Sequence, residues 1–127
     1  MNKLTSDLIV KSYNTYQWEL VEEFFFYFDA ENRSSGITVP KKFITDFASV
    51  PKILWSILPP TGRYTKAALL HDYLYSNYCK VDLSRKECDK MFLKAMQILG
   101  VKKSTRTTFY YAVRLFGKKY FKKDNVK

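Results

Sequence analysis

The chain has one histidine, His71, and it lies next to an acid in Ala67-Ala68-Leu69-Leu70-His71-Asp72-Tyr73-Leu74-Tyr75. A second acid, Asp89, follows in a later amphipathic segment. An imidazole that gives one N–H to a carboxylate keeps its other nitrogen as a base near neutral pH, which is what activating a water molecule requires. Tyr75 lies one helical turn after His71 on the same face, and its hydroxyl can give Asp89 a second hydrogen bond. Asp72 is turned about 100° around the helix from His71, toward irregular loops. A carboxylate with loop carbonyls is how a hard cation such as calcium is held, and Asp46 adds a second carboxylate if its loop folds over. Each residue also has a plainer reading. A lone helical histidine is more often a satisfied core or surface residue than a catalyst. Asp72 can be an exposed acid or an ion pair with Arg63 or Lys66, and Asp46 with Ser49 makes a good loop or helix-cap pair.

The elements that must position these groups are two helices. The first is expected over about Tyr64 to Tyr78. The second starts at Ser84, where Ser84-Arg85-Lys86-Glu87 is a capping box. Its apolar residues Cys88, Met91, Phe92, Ala95, Met96 and Leu99 follow helical spacing, and Gly100 is a suitable stop. A short turn near Lys80 to Leu83 makes the pair antiparallel. His71 then lies roughly 12 Å before the end of its helix and Asp89 roughly 8 Å into the next, so the two are nearly level. Asp89, Phe92 and Met96 fall at i, i+3 and i+7, which puts the carboxylate on the edge of the buried stripe, where it needs a partner. A third helix, capped by Ser104 or Thr105, is expected to bury Phe109, Ala112, Val113 and Phe116.

The first third reads as strands. Gln17 to Glu22 alternates polar and apolar residues. Phe24 to Phe28 is aromatic throughout, as in a strand covered on both faces. After the turn cluster Asp29 to Gly36, Ile37-Thr38-Val39 returns as a partner strand, stopped by Pro40. Lys52 to Leu58 suits a short apolar helix. The expectation is one α+β domain over residues 1–127: strands about 8–40 in a small antiparallel sheet packed on a three-helix unit, loops over 41–63, helices about 64–121, and a basic tail over 122–127.

Composition narrows the function classes. The 127 residues are 46% hydrophobic, which excludes a disordered chain. There are ten Tyr, ten Phe and two Trp, more than a small core can hide. No apolar run approaches the roughly 20 residues of a membrane span, and the start lacks a signal-peptide core. Two cysteines, Cys79 and Cys88, are too few for a disulfide framework; they can bridge each other, but two free thiols in a reducing compartment are expected. The formal charge of +10 is uneven: Lys102 to Lys127 holds nine basic residues and one acid. That imbalance suits an anionic partner, either nucleic acid, lipid head groups or an acidic protein, or else a solvated helix face and tail. Arg63, Lys118, Lys119, Lys122 and Lys123 are the candidate anion-binding residues.

Several ordered motifs look familiar. Thr45-Asp46-Phe47-Ala48-Ser49-Val50-Pro51, the Leu-Pro-Pro and Gly-Arg-Tyr segments, Ala68 to Tyr75, Ser84-Arg85-Lys86 and Ala112-Val113-Arg114-Leu115-Phe116-Gly117 resemble a family of tailed phages and prophages, the domain of unknown function 1353. This resemblance runs over about residues 15 to 120. It implies a phage origin, in the virion or the host cytoplasm, and no particular activity. A shorter resemblance is to secreted phospholipase A2. His71-Asp72-Tyr73-Leu74-Tyr75 is similar to that family's His-Asp-x-x-Tyr, and Cys88-Asp89 to its Cys-Asp on the antiparallel helix. The resemblance implies His71 as base, Asp72 as calcium ligand, Asp89 as the group orienting the histidine, and Tyr75 as its support. Leu74 replaces a cysteine of that family, and its glycine-rich calcium loop is missing, since Pro60-Thr61-Gly62-Arg63 has one glycine.

Three functions follow. One is a hydrolase whose His71–Asp89 dyad, with calcium or without it, activates water against an ester such as a lipid ester. The second is a non-catalytic structural or adaptor protein of a phage particle, in which the same residues form a buried polar network and aromatics contact other phage proteins. The third, ranked last for want of a recognition motif, is a nucleic-acid binder using Lys102 to Lys127.

Overall fold

The computed structural model describes residues 4–15, 17–29, 36–47, 64–79 and 81–121. The chain is α+β, with antiparallel strands first and three helices after them. It divides into two compact units, Met1–Asp46 and Phe47–Lys127.

Among the described residues, five short strands make two sheets in the first unit. Strands β1 (Val10–Asn14), β2 (Gln17–Leu20) and β5 (Ile44–Thr45) form one, in the order β1-β2-β5. Strands β3 (Phe24–Phe26) and β4 (Ile37–Val39) form the other. The expected pairing of Phe24 to Phe28 with Ile37-Thr38-Val39 is present, in the register Phe24↔Val39, Phe25↔Thr38 and Phe26↔Ile37. Two expectations are corrected. The aromatic run is not covered on both faces: Phe24 and Phe26 are buried while Phe25 is half-buried, and the strand stops at Phe26. A pleat sends alternate side chains to opposite faces, so one face of even an all-aromatic strand can stay open. The strands also continue past residue 40 into the stretch expected to be loop. A turn closed by Phe43 N–H donating to the Pro40 carbonyl leads into β5, which pairs with β2. Lys42, third in that turn, has φ 76°, as a type II turn requires. Leu20, Phe24, Phe26, Ile37, Val39 and Phe43 form this unit's apolar core.

The second unit holds α1 (Tyr64–Tyr75), α2 (Arg85–Ile98) and α3 (Lys103–Phe116), then a short 3-10 turn, Gly117–Tyr120. Helix α1 is buried almost all round, with only Thr65, Lys66 and Asp72 half-buried along it. It stops at Tyr75, three residues short of the expected end. The Ser76 hydroxyl donates to the Tyr73 carbonyl at 2.7 Å and accepts from the Tyr78 N–H at 3.2 Å, so a side chain takes over backbone bonding that would continue the helix. Ser84 and Glu87 form the capping box at the start of α2. Gly100 ends it at φ 75°, with Val101 N–H bonded to the Met96 carbonyl and Gly100 N–H to the Gln97 carbonyl. This is a Schellman motif, in which glycine supplies the left-handed residue without a Cβ clash.

That motif also corrects the third helix. It ties down the chain through Val101, so α3 begins at Lys103 with Lys102 as its cap residue and no side-chain cap bond. Ser104 already lies inside the helix, where its carbonyl accepts from the Thr108 hydroxyl. Phe109 and Val113 are buried as expected, but Phe116 is exposed. The helix tightens at Gly117, and the following 3-10 turn brings in Phe121 instead. Cys79 and Cys88 are both buried thiols outside any disulfide.

Candidate functional site

Contacts between α1 and α2 run in opposite directions along the two helices. The His71 ring lies 4.6 Å from the Phe92 ring, the Cys88 thiol reaches the Leu74 carbonyl at 3.6 Å, and Tyr75 meets Asp89. The helices are therefore antiparallel, and His71 and Asp89 are level. His71 Nε2 lies 2.7 Å from Asp89 Oδ1, and the Tyr75 hydroxyl donates to the same oxygen at 2.5 Å. The rings of His71 and Tyr75, one turn apart, are 4.1 Å between centroids. These three sequence-selected residues thus form one cluster, with His71 only 1% exposed and Asp89 not exposed at all.

The other carboxylate oxygen belongs to two arginines that the sequence reading left out of the site. Arg114 Nη1 donates to Asp89 Oδ2 at 2.6 Å, and Arg85 Nη1 stands 3.7 Å from it. Arg85 also donates to the Val113 and Arg114 carbonyls at 3.0 and 3.3 Å, satisfying acceptors at the end of α3. Asp89 is thereby the point at which all three helices are joined. Gly117 completes the packing: a Cβ there would lie 2.9 Å from the Tyr75 hydroxyl. Phe121 sets its ring edge-on to Tyr75 at 5.1 Å. Arg85 was legible as the i−4 neighbour of Asp89 on one helix. Arg114 was signalled only by the need of a buried carboxylate for a cation, together with its place beside Val113 on the flank of a buried stripe.

The network sets the charge states. Burial is the largest influence on Asp89 and disfavours its ionised form. Hydrogen bonds from His71 and Tyr75, the charge of His71 and the hydrogen bond from Arg114 outweigh it and hold the carboxyl below its ordinary value. Burial, followed by the hydrogen bond to Asp89 and its charge, pushes the Tyr75 phenol well above its ordinary value, against a smaller opposing pull from Arg85. Tyr75 is accordingly a neutral donor and Asp89 an anionic acceptor.

Four of the remaining candidates, Asp72, Asp46, Lys118 and Lys119, are among the described residues. Asp72 is half-buried on the open stripe of α1. Asp46 is exposed just past β5, in the other unit. Lys118 and Lys119 are exposed on the 3-10 turn. Arg63, Lys122 and Lys123 lie outside the described residues, as do the expected helix over 52–58 and the Ser49 partner of Asp46. No group of three or more His, Cys, Asp or Glu that could hold a metal ion is gathered among the described residues.

No helix among the described residues is long and apolar enough to cross a membrane. No curated protein and no solved structure matches the chain. The model of the family described as protein of unknown function (DUF1353) matches residues 18–113, well over half of the chain, and the protein belongs to that family.

Proposed function

We propose that this protein is a hydrolase in which the His71–Asp89 pair activates water against an ester. The observation that carries the reading is the 2.7 Å contact between His71 Nε2 and an Asp89 carboxylate fixed from its other side by Arg114. In the neutral ring, Nε2–H donates to Asp89 and Nδ1 carries the lone pair. Nδ1 takes a proton as the water oxygen bonds to the ester carbonyl carbon. The tetrahedral intermediate then collapses, the ester C–O bond breaks, and the imidazolium returns the proton to the leaving alkoxide. Asp89 stabilises the transient imidazolium, and Tyr75 keeps the carboxylate oriented. The reaction also requires that the edge of His71 turned away from Asp89 open to substrate.

We assign a hard cation, with calcium as the candidate, to Asp72 and neighbouring carbonyl oxygens. Such an ion would polarise the ester carbonyl. A lipid ester as substrate and calcium as cofactor both rest on the short resemblance to phospholipase A2. A phage origin belongs to the same proposal and rests on the ordered motifs shared with the phage family.

One observation favours a second reading. His71 and Asp89 are both fully buried, and no buried side-chain N or O atom among the described residues lacks a hydrogen-bond partner. A fully satisfied network of this kind also suits a non-catalytic structural or adaptor protein, in which it fixes three helices in one arrangement. Fatty-acid release from anionic phospholipid vesicles, with calcium or with chelator, separates the two. The hydrolase reading expects calcium-dependent release that Asp72→Asn abolishes with the fold retained. Release indifferent to chelator would remove calcium from the proposal, and no release from folded wild type would favour the structural protein.

A further inference from the structure

The segment that closes the network on its inner side has an unusual outer side. Arg114 and Gly117 face Asp89 and Tyr75, yet Leu115 is 73% exposed, Phe116 68% and Tyr111 58%. Tyr111 and Leu115 are one turn apart on α3, Phe116 ends the helix, and Tyr120 is exposed on the 3-10 turn that follows. The same outer face is polar at the start of α3, where Ser104, Thr107 and Thr108 are exposed. The apolar character is thus concentrated at one end. Lys118 and Lys119 are exposed within this apolar group, and Lys119 Nζ lies 5.1 Å from the centre of the Tyr120 ring.

We propose that Tyr111, Leu115, Phe116 and Tyr120, with Lys118 and Lys119, form a docking surface for an anionic lipid membrane. The chemistry selects this occupant. Large apolar side chains among lysines match a boundary at which hydrocarbon lies just beneath negative head groups. A two-fold dimer through this face would gather Lys118 and Lys119 of both copies in one interface with no acid among its residues, and like charges repel. A nucleic-acid backbone would satisfy the lysines but leave Leu115 in water. The surface lies behind α3 from the dyad, and membrane binding there does not depend on turnover.

The test is pelleting with phosphatidylcholine vesicles, with and without phosphatidylglycerol. Wild type is expected to bind the phosphatidylglycerol vesicles and to release as salt is raised. Leu115→Ser with Phe116→Ser should weaken binding on the order of tenfold or more. Lys118→Ser and Lys119→Ser should each weaken it about fivefold, and only on anionic vesicles. All four side chains are exposed, so an unchanged thermal midpoint certifies the fold of each variant. Equal binding to neutral vesicles, no binding of wild type to anionic ones, undiminished binding by the apolar double variant, or a lipid-free dimer broken by Leu115→Ser would each overturn the proposal.

Discussion

The two units solve the burial problem in different ways. The strand unit hides side chains that need nothing but contact: Leu20, Phe24, Phe26, Ile37, Val39 and Phe43, with Thr45 its only buried polar residue among those described. The helical unit buries an imidazole and a carboxylate, and supports them with a phenol and two guanidinium groups. An apolar core tolerates changes of shape as long as volume is kept. A buried ionised cluster tolerates the loss of no member, because each charge left behind is unpaired in a poorly polarisable interior. The stability of the helical unit should therefore depend on pH through this cluster.

The largest expected effect is from Asp89→Ala, which strands Arg114 and costs about 3–5 kcal/mol in denaturant unfolding. Phe26→Ala in the strands should cost a similar ~3–5 kcal/mol by leaving a cavity. What separates the two is pH. The folded-state value of Asp89 lies below its ordinary 3.8, so its contribution is complete above that pH and is lost as pH falls through the lowered value. The phenol of Tyr75 is raised above 10.0, so its contribution is complete below that pH and is lost as pH rises beyond it. Phe26→Ala should keep both limbs of the stability profile, and Asp89→Ala should flatten the acid one. An unchanged acid limb in Asp89→Ala would break the contrast between the units.

A smaller effect tests whether packing or charge holds the network. Gly117→Ala puts a methyl group 2.9 Å from the Tyr75 hydroxyl and 3.3 Å from its ring, and should cost about 1–3 kcal/mol by overpacking without altering any charge. A neutral result would mean that α3 and Tyr75 separate easily. Smallest is Ser84→Ala, which removes the side-chain bond to the Glu87 N–H at 3.1 Å and should cost about 1 kcal/mol in thermal unfolding, with the acid limb set by Asp89 intact.

What was legible in the sequence was what local rules govern. The capping box at Ser84, the stop at Gly100, the pairing of the aromatic strand with Ile37-Thr38-Val39 and the level placement of His71 and Asp89 all follow from spacing and turn chemistry over a few residues. The misses lie where a distant partner decides. Arg114 joins Asp89 from another helix, and no spacing between them announces it. Phe116 fits the apolar stripe by periodicity, but Gly117 packs against Tyr75 and redirects the chain before Phe116 can turn inward. Ser104 looks like a cap, but the Schellman motif of the preceding helix has already fixed where α3 begins.

The proposed hydrolysis needs His71 as a base and not only as a strut for Asp89. His71→Gln separates the two roles, since an amide N–H can still donate to Asp89 while the side chain no longer accepts water's proton. Ester hydrolysis by this variant, measured beside its unfolding free energy, is the most direct test. A catalytic His71 predicts near-wild-type stability with turnover lowered by roughly 100-fold or more. Turnover equal to wild type, or a folded wild type with none, would contradict it.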